Sequence, residues 1–120
     1  MVDVKFIVEL RRFLSLAYNR LVRKLTTENL WLYILKMLGE KSMYAYEIKG
    51  ALKERFGITP ATVTVYVILH KMQMENLIRV GKAVSFLGRP HRIYYEITEK
   101  GTKTLNQGRK FLEETIQKVS

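Results

Sequence analysis

The chain has no cysteine. Disulfides, thiolate metal sites and thiol nucleophiles are therefore excluded, and the absence fits an intracellular protein. Histidine is almost as scarce, with only His70 and His91. A metal site without thiolates would need carboxylates that the basic sequence around these histidines scarcely supplies, so no metal is expected. Acidic residues are also few, 11 against 21 Lys and Arg, which leaves a formal charge of +10. Such a chain is drawn to a polyanion before any specific contact forms. No long apolar run is present either. Lys5, Glu9, Arg11 and Arg12 break up the N-terminal apolar residues too often for a signal peptide or a membrane span, so no membrane is expected as a partner and the location is read as cytoplasmic. There is no phosphate-binding glycine loop and no nucleophile beside a base, and Glu113-Glu114 reads as surface charge. Neither an enzyme nor a cofactor is expected.

What is present fits one domain of 120 residues with a real core. In residues 1–25, Ile7, Leu10, Leu14, Ala17 and Leu21 recur in an a/d rhythm, with Phe6 and Phe13 widening the stripe. The pattern predicts an amphipathic helix whose polar side is basic. It can cover its own domain, lie on a membrane surface, or pack across a dimer, and about two heptads are too few for a stable coiled coil on their own. The dimer arm is the favoured reading.

Residues 26–98 carry the main pattern. Thr26 or Thr27 is positioned to cap a helix through Leu30–Leu38, closed by Gly39, in which Trp31 and Tyr33 read as packing residues. Ser42 can cap a helix from Met43 to Phe56, ended by Gly57 in the left-handed conformation that glycine adopts most easily. Thr59, followed by Pro60, then predicts a helix over residues 59–76. Its Val65, Ile68, Leu69 and Met72 make a core stripe, while Val63, Tyr66, Val67, His70 and Met74, flanked by Thr62, Thr64 and Lys71, make an outer face. Taken alone, this is equally an ordinary amphipathic helix or one suited to a DNA major groove, where thymine methyls and base edges are read. The tight glycine-containing turn before it gives the outline of a helix-turn-helix.

After Asn76 the period shortens. Residues 77–86 and 92–98 read as paired strands joined through Gly88 and Pro90, with Arg79, Lys82, Arg89 and Arg92 on the hairpin. A helix-turn-helix followed by a basic hairpin is a winged helix, and cations at residues 79–92 are well placed for phosphates or a minor groove. In residues 99–120, Thr98 caps a last helix. Leu105, Leu112 and Val119 recur there at heptad spacing beside Phe111 and Ile116, which suggests a second dimerisation helix.

The chain from about Leu30 to Gly101 resembles the PadR-like family of winged-helix transcriptional regulators. The segments that carry the likeness are Tyr44-Ala45-Tyr46-Glu47-Ile48, Thr64-Val65-Tyr66 with Leu69 and Met72, Asn76-Leu77-Ile78, Gly88-Arg89-Pro90 with Tyr94-Tyr95, and Ile97 before Thr98-Glu99-Lys100-Gly101. Their order and spacing together, rather than any one of them, make the resemblance. It implies a homodimeric DNA-binding repressor whose C-terminal helix, often with an N-terminal one, builds the dimer. It also implies that Tyr66 and its neighbours contact DNA and that the wing around Arg89 touches the backbone or minor groove. Ala45 and Asn76 stand where the family usually has glycine, and Val67 replaces a common proline. Members often sense small aromatic molecules at the dimer interface, but Trp31 and Phe111 are read as packing residues and no effector is assigned.

The expected protein is thus mainly α with a small β-hairpin, a winged helix-turn-helix between long N- and C-terminal dimerisation helices. Its partners would be double-stranded DNA and a second copy of itself. Thr59, Thr62, Val63, Thr64, Tyr66, Val67, His70 and Lys71 would face DNA from the recognition helix, Lys49, Lys53 and Arg55 from the helix before it, and Lys82, Arg89 and Arg92 from the wing. Ile7, Leu10, Leu14, Leu21, Leu105, Phe111, Leu112, Ile116 and Val119 would form the dimer. The alternative is a winged helix used as a protein-interaction or RNA-binding module, because the outer face has few of the Arg, Asn and Gln that read bases.

Overall fold

A free aspartate starts the first helix of the computed structural model: the Asp3 carboxylate accepts the Lys5 amide at 3.1 Å. Helix α1 then runs over Val4–Leu25, with Arg23 and Lys24 at its negative end. The structure describes residues 3–86 and 89–120, apart from the side chains of residues 7, 8, 10–14, 84–86 and 89–91. The two threonines expected to cap the next helix turn back instead. Thr26 and Thr27 donate their hydroxyls to the carbonyls of Val22 and Arg23 and so close α1. A short 3-10 turn, Thr27–Asn29, intervenes, and α2 spans Leu30–Leu38 with Asn29 at its N-cap position. The Asn29 side chain is occupied elsewhere, donating to the Lys24 carbonyl and accepting from the Trp31 indole.

A further correction follows Ser42. Met43–Tyr44 is extended, and this strand, β1, pairs with Tyr95 and Tyr94 before α3 begins at Ala45 and runs to Phe56. Gly57 ends α3 at φ +67°, and the amides of Gly57 and Ile58 satisfy the carbonyls of Lys53 and Leu52. The next helix, α4, occupies Thr62–Met74. It starts three residues after Thr59, with Ala61 as its N-cap and no side chain capping it, so the connection from α3 is longer than a helix over residues 59–76 would leave. Asn76 takes the left-handed conformation at φ +61°, as its short polar side chain allows.

Strands β2, Ile78–Phe86, and β3, Arg89–Ile97, form an antiparallel wing, and the sheet order is β1-β3-β2. Register shifts fall at Val80/Lys82 and at Val84/Ser85, the second beside Pro90, which has no amide to give to the ladder. Finally α5 spans Glu99–Val119, and Thr98 caps it by accepting the Gly101 amide at 3.0 Å. One core holds these pieces together. Ile34, Leu35 and Met37 of α2 lie at its centre with Ile48 and Leu52 of α3, Val65, Leu69 and Met72 of α4, and Ile78 of the wing. Full burial of such a side chain is worth about 1.5–3 kcal/mol over leaving it exposed. From α5 the core takes Leu105, while Phe111, Ile116 and Val119 stay exposed.

Candidate nucleic-acid interface

The face of α4 turned away from the core is built by the 3.6-residue period. Val65, Leu69 and Met72 point inward, and Thr62, Val63, Thr64, Tyr66, Val67, His70 and Lys71 are left exposed. Beside its first turn, Lys49 donates to the Thr62 hydroxyl at 2.7 Å. Tyr46, Lys49, Lys53 and Thr59 line a common recess there. Two lysines thus flank a helix N-terminus whose first amides no side chain caps, an arrangement that favours an anion such as a phosphate.

On the other side of α4 the wing approaches. The Arg92 guanidinium lies 4.6 Å above the Tyr44 ring, which packs edge-on against Tyr94. Between α4 and the wing opens a cleft of about 440 Å³ lined by Tyr44, Tyr46, Tyr66, Tyr95, Ile93 and Arg92. Burial, with a smaller contribution from neighbouring Tyr66, raises the Tyr95 phenol above its ordinary value. The exposed, polar-tipped Tyr46 and the two cleft tyrosines Tyr44 and Tyr95 were not among the residues expected at the site. The Tyr44-Ala45-Tyr46 segment was their only visible signal in the sequence.

Of the expected cations, the structure brings Lys49, Lys53, Lys71 and Arg92 around α4, with Lys82 exposed on β2. Arg55 is not brought to this face. Both its terminal nitrogens bond the Glu40 carboxylate, at 2.7 and 2.8 Å, on the side of α3 that also carries Glu47 and Glu54. Among the described residues no carboxylate pairs with Lys49, Lys53, Lys71 or Lys82, whereas Lys36, Lys41, Arg55 and Arg79 all have one. Positive charge is therefore left unneutralised where α4 and its neighbours face solvent. The Arg89 side chain lies outside the described residues, although its backbone opens β3.

The residues expected at a dimer interface separate in the same way. Leu105 is buried in the core of its own chain, a correction that follows from the packing of α5 on α2. Leu112 is half-buried, while Leu21, Phe111, Ile116 and Val119 are exposed. The side chains of Ile7, Leu10 and Leu14 lie outside the described residues. Among the described residues no helix is long and apolar enough to cross a membrane, and no cluster of His, Asp and Glu could hold a metal ion.

The sequence pattern of the transcriptional regulator PadR-like family matches residues 34–107. The chain belongs to this family. PadR-like proteins are transcriptional regulators, not enzymes, and the α2–α5 framework described above is their winged helix. No curated protein sequence matches the chain. Among solved structures, a PadR-like transcriptional regulator from Bacillus cereus is 28% identical, with a TM-score of 0.60 over 75% of this chain and 89% of its own. A PadR family transcription regulator from Clostridium difficile is 26% identical, with a TM-score of 0.61 over 74% and 95%. PadR of Bacillus subtilis, solved in complex with operator DNA, shares the fold at 22% identity and a TM-score of 0.59, over 65% of this chain and 45% of that one.

Proposed function

We propose that this PadR-like protein is a cytoplasmic homodimeric repressor that binds a pseudo-palindromic double-stranded DNA site. In this reading α4 lies in the major groove, with Thr62, Val63, Thr64, Tyr66, Val67 and His70 toward the bases. Lys49, Lys53 and Lys71 neutralise phosphates, and Lys82, Arg89 and Arg92 bring the wing to the backbone or minor groove. The observation that carries the proposal is the exposed α4, its first amides capped by no side chain, beside Lys49, Lys53 and Lys71, which have no acid partner among the described residues. The complex of Bacillus subtilis PadR with operator DNA supports it by likeness of fold.

Dimerisation draws on a different observation. The radius of gyration is 18.7 Å, against about 14 Å for a compact chain of this length. Its apolar helix surface stays in solvent, with Phe111 67%, Ile116 61% and Leu21 56% exposed. A recess lined mostly by apolar residues, among them Leu25, Trp31, Leu32, Phe111 and Leu112, joins α1, α2 and α5 and offers a second copy an apolar surface. Two-fold symmetry then places half-sites about 34 Å apart.

Tyr66→Ala is the test at the site. Loss of a base contact costs about 1–3 kcal/mol, so affinity for the tightest-binding duplex should fall by about fivefold to a hundredfold. Light scattering should show the dimer unchanged. Unaltered affinity would remove Tyr66 from the interface. A second reading, a protein- or RNA-binding module, is favoured by the exposure of Val63 at 73% and Met74 at 71%. A monomeric chain that binds all DNA duplexes equally would support it.

A further inference from the structure

The wing leaves the end of α4 and returns to the same point at the start of α5, and the bonds made there join the two helices. The carbonyls of Glu75, Asn76 and Leu77 form the exit from α4. The Lys100 ammonium donates to the Glu75 carbonyl at 2.8 Å. The Thr98 hydroxyl donates to the Asn76 carbonyl at 2.6 Å, and the Thr98 amide donates to the Leu77 carbonyl at 3.1 Å. The same hydroxyl accepts the Gly101 amide. Nothing larger than glycine fits at position 101, because a Cβ there would lie 2.2 Å from the Leu77 carbonyl oxygen and 2.8 Å from Ile97 Cγ1. Asn76 in its left-handed conformation turns its carbonyl toward this point, and buried Leu77 and Ile78 anchor it in the core. A hydroxyl has one proton to give, so Thr98 is specific: it ties the exit of α4 with that proton and caps α5 with its lone pair.

We infer that this junction of Asn76, Leu77, Thr98, Lys100 and Gly101 fixes the angle between α4 and α5 and thereby sets the distance between half-sites that the dimer accepts. The inference rests on the dimeric DNA-binding reading. With α5 on the two-fold axis, any tilt at the junction is carried to both recognition helices. One base pair of spacing corresponds to about 3.4 Å and 35° along the duplex, so a neighbouring spacing is admitted only when the junction lets both recognition helices be reset. Thr98, Lys100 and Gly101 are positioning residues and touch no DNA themselves.

The test is selection of bound duplexes from a random pool, roughly 30 base pairs long so that two half-sites fit. Light scattering and thermal unfolding are measured alongside on each variant. Wild type is expected to enrich paired half-sites at one spacing. Thr98→Val, which keeps the shape and removes the hydroxyl, should enrich the same half-site sequence over several spacings, with the wild-type spacing reduced severalfold. Thr98→Ser should restore the single spacing. Gly101→Ala should act as Thr98→Val does, and more strongly, but Thr98→Val decides the matter if Gly101→Ala fails to fold. If Thr98→Val keeps the single spacing of wild type, the junction does not set it and the inference falls alone. If wild type enriches half-sites with no fixed spacing, the dimeric reading falls and the inference with it.

Discussion

Two residues apart on α3, Lys53 and Arg55 have different surroundings. Lys53 lines the recess with Lys49 and Thr59 and has no acid partner among the described residues, whereas Arg55 is held by Glu40 and also lies 5.2 Å from the Phe56 ring centroid. Hydrogen bonding by the Arg55 guanidinium holds the Glu40 carboxyl below the usual carboxylate range, with Arg55 and Lys36 adding their charge. A carboxylate depressed in the folded state contributes stability above its unfolded value, near pH 4, and loses it as the pH falls through the folded one. Glu40→Gln should therefore lower the melting temperature slightly at pH 7, and the gap from wild type should close below about pH 4. A gap that does not narrow at all as the pH is lowered from about 7 through the acidic range would mean the pair does not supply that stability. Because both groups are exposed and salt-screened, the effect is small at any pH. DNA affinity should change little in this variant, since Glu40 and Arg55 lie on the side of α3 that carries Glu47 and Glu54, away from the α4 face.

At the level of elements, much of the fold was legible wherever an apolar period and a terminator agreed. Of the core stripe of α4, Val65, Leu69 and Met72 end up buried and Ile68 partly buried, its outer face is exposed, Gly57 closes α3 in the left-handed conformation, and Thr98 caps α5. Local signals failed where another partner competed for the same side chain. Thr26 and Thr27 satisfy carbonyls of α1 instead of capping α2, and Thr59 lies in the connection while Ala61 starts α4. Strand β1 was illegible because two residues have no period to show. Its pairing with Tyr94 and Tyr95 depends on a segment far along the chain. The tyrosine cleft was missed for that same reason. Leu105 and Phe111 look alike in the heptad pattern of α5, yet only the folded core separates the buried one from the exposed one. The remaining exposed stripe leads to a direct expectation. Ile116→Glu should turn a dimer, about twice the chain mass by light scattering, into a folded monomer, since a charge buried in an apolar interface is costly. A dimer that survives the change would place the interface elsewhere.

For the whole molecule, charge and shape act together. The net charge of +10 guarantees attraction to any duplex at low salt, and that attraction carries no sequence information. Specificity has to come from the α4 face and from holding two such faces at one separation. The most direct measurement is fluorescence anisotropy on genomic fragments, including the region upstream of its own gene, against scrambled duplexes of the same composition over a series of salt concentrations. At least one native fragment should stay bound near physiological ionic strength, about 0.15 M, while scrambled duplexes are released. Equal binding to native and scrambled fragments, falling together as salt rises, would contradict it.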